Sequence, residues 1–459
     1  MVDPQDINAI DDIRAKIKID SIDTVLVSDS GLQKALDSYY GVLGTVEEVV
    51  KDIDKAKLDL KTKAGTKGVS EVAGEPPVIK LVNLLVTQAR KDKASDIHVE
   101  PDEDTLRIRY RIDGILHEVN TIPKHLQSAV ISRIKILAKM DIAEQRKPQD
   151  GRIKLKQENK EIDIRVSSFP TVHGENIVMR LLDKETAFLG LSELGLSKDD
   201  LKKFDKLIRY PNGIILVTGP TGSGKTTTLY AALANINSME KNIITIEDPI
   251  EYELPLIRQT QVNPKAGLTF ANGLRSILRQ DPDVVMVGEI RDKETADIAI
   301  QASLTGHLVF STLHTNDAPS ALTRLIDMGV EPFLVSSSII GVLGQRLVRV
   351  ICTNCKEKHT PTQEELEDLG LKEKSVFYKG KGCDKCHNLG YAGRAGIFEL
   401  LFLDEETKKM IGAKASADEI RKKAISKGMT TLFNDGIAKA KAGITTLEEV
   451  LRATKTEEE

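Results

Sequence analysis

The stretch that decides the fold is Gly219-Pro220-Thr221-Gly222-Ser223-Gly224-Lys225-Thr226-Thr227, in a chain of 459 residues. It matches G-x-x-x-x-G-K-[ST], the pattern of a phosphate-binding loop. The apolar run 213–218 before it predicts a buried parallel strand, and 227–236 after it predicts a helix. This strand–loop–helix order is the context that the motif requires, so we expect the loop to bind a nucleoside triphosphate.

Each residue type in the loop has a chemical role in binding a polyphosphate. Glycines let backbone N–H groups approach a polyphosphate at a helix N-terminus, where the helix dipole favours anions. Lys225 is expected to reach the β- and γ-phosphates, and Thr226 to place its hydroxyl on Mg²⁺. The alternative, a glycine-rich loop that binds nothing, does not explain the complete motif in its proper context.

The composition sets limits on other functions. A net charge of -4 at pH 7 gives no overall sign of nucleic-acid binding. The chain starts with the polar, acidic Met1-Val-Asp-Pro-Gln-Asp and contains no apolar run of membrane-spanning length. We therefore expect a cytoplasmic protein whose contact with a membrane is peripheral and indirect.

The cysteines form two C-x-x-C pairs, Cys352 with Cys355 and Cys383 with Cys386. Two such pairs can complete a tetrahedral Zn²⁺ site, and four thiolates leave no open position, so the predicted zinc is structural. Two disulfides are disfavoured in a reducing cytoplasm, and a thioredoxin-like redox pair lacks its fold pattern. The spacing between the pairs is long for a zinc ribbon and predicts that an insertion loops out.

Three later segments each combine an apolar strand with polar residues at its end. Glu247 and Asp248 follow the first, Glu289 follows the second, and His307 and His314 flank the third. Carboxylates after parallel strands lie at the edge where ligands bind in open α/β folds. Taken singly, each is more often a solvated acid or a core histidine, but together they predict a shared site. No guanine-reading Asn-Lys-x-Asp motif is present, which favours ATP.

The pattern along the chain predicts six regions. Residues 78–185 combine segments of helical apolar spacing with strands of alternating apolar and polar residues, which predicts an α/β domain. Residues 186–350 repeat strand and helix, which predicts a mostly parallel sheet covered on both faces. The predicted boundaries are 1–50 for a partial first N-terminal domain, 51–77 for a linker, 78–185 for a second N-terminal domain, 186–350 for the ATPase core, 351–396 for the cysteine module and 397–459 for a helical C-terminal domain.

The long motifs together resemble the secretion ATPase family of type II secretion and type IV pilus assembly. The resemblance rests on segments 219–228, 246–251, 278–292 and 305–316, with 94–101, 146–152 and 174–180 in the middle region, and covers about residues 76 to 455. The four-cysteine module is similar to that of the assembly ATPases, and within the family we expect this chain to resemble the pilus assembly ATPase most. Residues 3–41 resemble only the final part of the family's first domain, as in a short or truncated form, and we assign no cyclic di-GMP site.

The resemblance implies a homo-hexamer of RecA-like domains, each preceded by a mobile PAS-like domain, acting on an inner-membrane platform protein. It places Glu247 in the aspartate box, Glu289 in Walker B, and His307 and His314 in the histidine box. It also implies that Arg165 and Arg180 close over the nucleotide, in their own subunit or a neighbouring one; otherwise these arginines are surface charge.

The function that follows is ATP hydrolysis coupled to assembly of pilin-like subunits. The same motor in type II secretion is the nearest alternative. A zinc-containing nucleic-acid-binding ATPase is a more distant one, because the lysines near the cysteines are interspersed with acids and aromatic residues are sparse. We expect no nucleic-acid partner.

Overall fold

The computed structural model describes residues 76–157, 160–182, 189–361 and 376–454, together with Val46, Val49 and Val50. The chain divides into two compact units, Met1–Leu181 and Leu182–Glu459. The strand predicted at 22–27, the helix predicted at 30–40 and the predicted linker up to residue 75 lie outside the described residues.

The first unit contains a six-stranded sheet in the order β3-β2-β1-β6-β5-β4. Strand β1 pairs antiparallel with both β2 and β6. The elements are α1 (Pro76–Lys91), β1 (Asp96–Pro101), β2 (Thr105–Ile112), β3 (Ile115–Pro123), α2 (Gln127–Leu137), β4 (Gln149–Gln157), β5 (Lys160–Thr171) and β6 (Gly174–Leu182).

Alternation along the strands of this unit builds its core. In β2 every second side chain, from Leu106 to Ile112, is buried, as the sequence predicts. The Tyr110 hydroxyl donates a hydrogen bond of 2.7 Å to Leu85 O and so joins β2 to α1. Helix α1 begins at Pro76, earlier than the predicted Val78, because proline is tolerated in the first turn of a helix, where its N–H has no intrahelical partner.

The second unit contains a seven-stranded sheet. Its elements up to the cysteine module are α3 (Lys198–Leu207), β7 (Gly213–Thr218), α4 (Lys225–Ile236), β8 (Ile243–Glu247), β9 (Arg258–Gln261), α5 (Phe270–Ile277), β10 (Val284–Val287), α6 (Lys293–Leu304), β11 (Leu308–Leu313), α7 (Ala318–Asp327), α8 (Pro332–Ser338) and β12 (Ile339–Ile351).

The rest of the second unit consists of the cysteine module, strand β15 and the C-terminal helices. Strands β13 and β14 form a separate antiparallel pair. The elements are β13 (Lys356–His359), β14 (Phe377–Gly380), β15 (Tyr391–Phe402), α9 (Glu405–Gly412), α10 (Ala417–Ser426), α11 (Leu432–Lys441) and α12 (Leu447–Thr454). Part of the predicted insertion between the cysteine pairs, 362–375, lies outside the described residues.

The large sheet has the strand order β15-β12-β7-β11-β10-β8-β9. It is parallel except for β15, which runs antiparallel to β12. Both faces of the sheet are covered: Ile214 and Leu216 of β7 join one hydrophobic cluster, and Ile215 and Val217 join another. Strand β7 is therefore buried along its whole length, which explains its unbroken apolar sequence. The predicted mixed α/β fold with a mostly parallel, doubly covered sheet is confirmed.

Strand β15 extends this sheet beyond the predicted end of the ATPase core. It pairs with β12 from Tyr391 to Phe402, across the cysteine module. The sequence-based boundary at 396 falls within this strand, and the domain boundaries stay predictions. No helix among the described residues is long and apolar enough to cross a lipid bilayer.

Candidate nucleotide and metal sites

The phosphate-binding loop joins the carboxyl end of β7 to the start of α4. Gly224 caps α4 with φ of 88°, and no side chain caps the first turn. By contrast, α6 and α7 are capped by Asp292 and Asp317, which accept N–H bonds of 2.7 and 2.8 Å. The first N–H groups of α4 therefore keep their capacity to bind an anion.

The loop packs too closely for side chains at two glycines. A Cβ on Gly219 would lie 2.3 Å from Gln345 O and 2.6 Å from Ser223 Oγ. A Cβ on Gly224 would lie 2.8 Å from Gln345 Nε2, and its φ is unfavourable for other residues. Ser223 Oγ is buried without a described hydrogen-bond partner. This cradle, with an unsatisfied polar atom, fits a polyphosphate.

Lys225 lies inside the loop and is mostly buried. Its Nζ donates to Gly219 O at 2.8 Å and to Pro220 O at 3.1 Å. Burial lowers the pKa of Lys225 to about 8, Arg346 contributes in the same direction, and Glu289 opposes both. An anion on the loop would favour the charged lysine. Thr226, the predicted Mg²⁺ ligand, is the second residue of α4 and is partly buried.

Glu289 and His314, which the sequence predicts to share a site, are in contact. His314 Nε2 lies 3.2 Å from Glu289 Oε2, and Arg291 Nη2 lies 2.5 Å from Glu289 Oε1. Each oxygen of the carboxylate thus has a basic partner, while the side chain keeps 12% of its surface exposed. Glu289 also acts on the pKa of Lys225, so the two charges belong to one electrostatic site.

Glu247 has a different environment at the end of β8, where it is 2% exposed. It accepts hydrogen bonds from the hydroxyl of Tyr230, from Thr245 Oγ1 at 2.6 Å and from Gln259 Nε2 at 3.0 Å. Burial, and then the charge of Glu247, raise the pKa of Tyr230. These three donors hold Glu247 within the protein, so Glu289 is the better placed of the two acids to act on a ligand.

The two histidines of the third segment lie at opposite ends of β11. His314 follows the carboxyl end, where β7 and β10 also end, and so lies at the ligand-binding edge. His307 precedes β11, and its Nδ1 lies 2.8 Å from Ala302 O, near the end of α6. Chain direction therefore separates them, and the structure does not bring His307 to the nucleotide edge.

Gln345 and Arg346 of β12 are residues of this site that sequence reasoning missed. Arg346 Nη2 donates to Asn316 Oδ1 at 2.9 Å, and burial lowers the pKa of Arg346. Gln345 is buried against the phosphate-binding loop. The available signal was a pair of polar residues, Gln345-Arg346, inside an apolar strand.

The predicted nucleotide-closing arginines belong to the first unit. Arg165 lies in β5 between the buried Ile164 and Val166, so it occupies the face of the sheet away from the core. Arg180 lies in β6, is 61% exposed, and its Nε donates to Asp96 Oδ1 at 2.9 Å. Their role at a nucleotide stays a prediction.

The four cysteines converge as the sequence predicts, and their Sγ atoms all lie within 4.8 Å of one another. The separations are 3.9 Å for Cys352 and Cys383, 3.8 Å for Cys355 and Cys386, and 3.7 Å for Cys383 and Cys386. Tetrahedral zinc with Zn–S bonds of about 2.3 Å separates its sulfurs by about 3.8 Å.

Backbone N–H groups of Cys383 and Gly390 point to Cys386 Sγ at 3.3 Å, as donors to a thiolate do. The donor set therefore fits a structural zinc ion.

A cradle at the N-terminus of α4, with an acid and a histidine at the neighbouring strand ends, defines the second unit as a P-loop nucleoside triphosphatase. The chain belongs to the Type II/IV secretion system protein family, whose model matches residues 71–452. It is 54% identical over 387 residues to the type II secretion system ATPase E of Vibrio cholerae, covering 84% of this chain and 77% of the relative.

Two further comparisons agree with this assignment. The type IV pilus assembly ATPase PilB of Myxococcus xanthus is 46% identical over 465 residues, covering 99% of this chain and 81% of the relative. The structure of the pilus retraction motor PilT with bound ADP matches with a TM-score of 0.56 and 27% identity, covering 81% of this chain and 96% of that one.

The Legionella pneumophila ATPase DotB, at 22% identity, matches in fold with a TM-score of 0.60, over 80% of this chain and 93% of that one. The predicted family and the predicted ATPase class are confirmed.

Proposed function

We propose that this chain is an ATP-driven motor that moves pilin-like subunits. The observation that carries the proposal is the arrangement of Lys225, Glu289 and His314 at one sheet edge of a type II/IV secretion family protein. Hydrolysis needs a cradle for the phosphates, a cation at the transferred group and an acid beside an attacking water. Each of these parts has a residue in this edge.

The residues divide the chemistry among them. Backbone N–H groups of the phosphate-binding loop, other than at Pro220, which has none, hold the phosphates. Lys225 stabilises the charge that develops on the transferred phosphoryl group. Thr226 is the residue that would hold Mg²⁺, which neutralises phosphate charge when bound. Glu289 polarises the attacking water, while Arg291 and His314 fix the orientation of its carboxylate. Glu247 supports β8 and serves as the second candidate base.

The assembly proposed for the whole protein is a homo-hexamer acting on an inner-membrane platform protein, from the cytoplasm. This proposal rests on the family assignment. It includes the predicted division into an ATPase core at 186–350, a cysteine module at 351–396 that holds structural zinc, and Arg165 and Arg180 as residues that close over the nucleotide.

Two pathways are candidates for the motor. Pilus assembly is the prediction from the sequence, and relatives named as pilus assembly ATPases align with 99% of this chain at 46% identity. The observation that favours type II secretion is a higher identity, 54% to the Vibrio cholerae ATPase and 55% to that of Dickeya dadantii.

Deletion of the gene in its source organism separates the two pathways: loss of surface pili supports pilus assembly, and loss of exported enzymes supports secretion. Purified wild-type protein must also hydrolyse ATP with Mg²⁺. Strong stimulation of that activity by DNA would instead support the nucleic-acid alternative.

A further inference from the structure

Gln345 is a polar side chain that is almost fully buried in an apolar strand. It lies in β12, next to β7 in the large sheet, and is 3% exposed. A buried amide is costly unless both its donor and its acceptor are satisfied. The groups that satisfy Gln345 therefore indicate what the residue is for.

Both groups belong to the nucleotide-binding segment. Gln345 Nε2 donates to Ser223 O at 2.7 Å, in the middle of the phosphate-binding loop. Gln345 Oε1 accepts from Thr228 Oγ1 at 2.6 Å, in the first turn of α4. The backbone of Gln345 also packs closely against the start of the loop. A Cβ on Gly219 would lie only 2.3 Å from Gln345 O.

We propose that Gln345 is a positioning residue for the nucleotide site. It holds the phosphate-binding loop and the first turn of α4 in the conformation that binds the β- and γ-phosphates. This inference rests on the proposed ATP binding and adds a residue from a strand distant in sequence. Gln345 acts through the loop, since its Nε2 donates to Ser223 and its Oε1 accepts from Thr228.

The amide is the chemistry that the position requires. One end must accept a hydrogen bond from a hydroxyl and the other must donate to a carbonyl, which glutamine does with one side chain. Methionine would fill a similar volume and make neither bond. A carboxylate would still accept from Thr228 but would face Ser223 O without a proton to donate.

The test uses the full-length protein with Gln345→Met, Gln345→Glu, Thr228→Val and the combination of Gln345→Met with Thr228→Val. The measurements are the Kd for ADP, the KM and kcat for ATP, and thermal unfolding. We expect Gln345→Met to weaken ADP binding and raise the KM by about ten-fold or more, because two hydrogen bonds to the loop are lost.

Gln345→Glu should weaken ADP binding at least as much as Gln345→Met. Thr228→Val should have a smaller effect of about three-fold or more, because it removes one bond. In the combined variant the effects should be less than additive, because the two changes remove the same contact.

Thr445→Val is the matched control. Thr445 is fully buried, and its Oγ1 donates to Arg349 O at 2.8 Å, farther along the same strand. This variant should lower the unfolding temperature and leave the Kd for ADP unchanged. A residue that only supported the fold would behave like Thr445, so the ADP affinity of folded protein separates the two roles.

Folded Gln345→Met protein with wild-type Kd and KM would overturn the positioning role. Should that variant fail to fold, an unchanged Kd in Thr228→Val would overturn it, and a weakened Kd would support it. Wild-type protein that binds no ADP would overturn the proposed function together with this inference, whereas wild-type binding with unaffected variants overturns the inference alone.

Discussion

The protein environment of Lys225 disfavours the charged form of its side chain. Burial and the neighbouring Arg346 lower its pKa to about 8, and the carboxylate of Glu289 offsets this only in part. An anion bound beside Lys225 would stabilise the charged form of the lysine and so raise its pKa again.

The first prediction concerns pH. Because the pKa of Lys225 in the free protein is about 8, ADP affinity should be fully present below that pH and fall as pH rises through it. Binding above about pH 8 should take up a proton, measured by calorimetry in two buffers of different ionisation enthalpy. Lys225→Arg, which keeps its charge, should show no such uptake. Proton uptake in Lys225→Arg equal to that of wild type would contradict the assignment to Lys225.

The second prediction separates the roles of Glu289 and Glu247. Glu289→Gln should retain ATP binding and lose turnover by about 100-fold or more, because its shape is kept while the water-polarising charge is removed. Steady-state hydrolysis and nucleotide titration measure the two effects. Glu294→Gln is the control, since Glu294 is an exposed acid paired with Arg275. Near-normal turnover in Glu289→Gln would transfer the base role to Glu247.

At the scale of elements, strand direction explains why two similar histidines differ. His307 and His314 flank β11, and only His314 reaches the edge at which Glu289 lies. His307 instead contacts Ala302 O near the C-terminal end of α6. His314 therefore lies at the candidate site, whereas His307 belongs to the framework around it.

The third prediction follows from this difference. His314→Ala should lower kcat by about ten-fold, because Glu289 loses a charge-assisted hydrogen bond. His307→Ala should leave kcat unchanged and reduce the free energy of unfolding by about 1 kcal/mol. Turnover and thermal unfolding of both variants provide the comparison, and a larger loss of turnover in His307→Ala would reverse the two roles.

The fourth prediction concerns the cysteine module. Purified protein should contain one zinc ion per chain, held by Cys352, Cys355, Cys383 and Cys386, as determined by metal mass spectrometry. A purified protein that contains two disulfides and no bound metal would refute the zinc assignment.

The module is also tied to the C-terminal helices. Lys356 Nζ donates to Gly443 O at 2.6 Å, and Ile351 N donates to Ile444 O at 2.8 Å. Removal of zinc with a chelator should therefore increase hydrogen exchange in α11 and α12 more than in α4. Equal exchange in all three helices would indicate that the module is not linked to these helices in particular.

Local patterns predicted the elements of the site better than their partners. Strand β7 and helix α4 follow from an apolar run, a glycine-rich loop and helical spacing, all within one short stretch. Gln345 could not be found in this way, because its contacts to Ser223 and Thr228 depend on which strand lies beside β7. The pairing of β15 with β12 was hidden for the same reason, since the cysteine module separates them in sequence.

At the scale of the whole molecule, each unit has its own sheet and its own core. In the first unit, alternation turns Ile164 and Val166 inward and leaves Arg165 on the other face, while Arg180 pairs with Asp96. In the proposed mechanism these two arginines supply positive charge to the bound nucleotide. Arginine serves this purpose well because its planar charge matches phosphate oxygens.

The last prediction tests this supply of charge. Where Arg165 and Arg180 contact the nucleotide only in a closed state, Arg165→Ala and Arg180→Ala should slow hydrolysis far more than they weaken ATP binding, because the lost interaction is strongest in the transition state. Arginine fingers contribute roughly 10³–10⁵ in rate, so we expect a loss of at least about ten-fold. Arg146→Ala, at a highly exposed arginine paired with Glu144, is the control from the same unit.

Two chains shortened at their N-termini extend the test. A chain that begins just before Pro76 keeps α1, the whole six-stranded sheet and the second unit, and should keep its turnover. A chain that begins near Gly190 keeps the second unit alone and should bind ATP while hydrolysing it very slowly. All variants are compared at matched protein concentration and matched oligomeric state, because an altered assembly would also change the rate. Full turnover of the second unit alone would exclude closure by the first unit and leave Arg165 and Arg180 as surface charge.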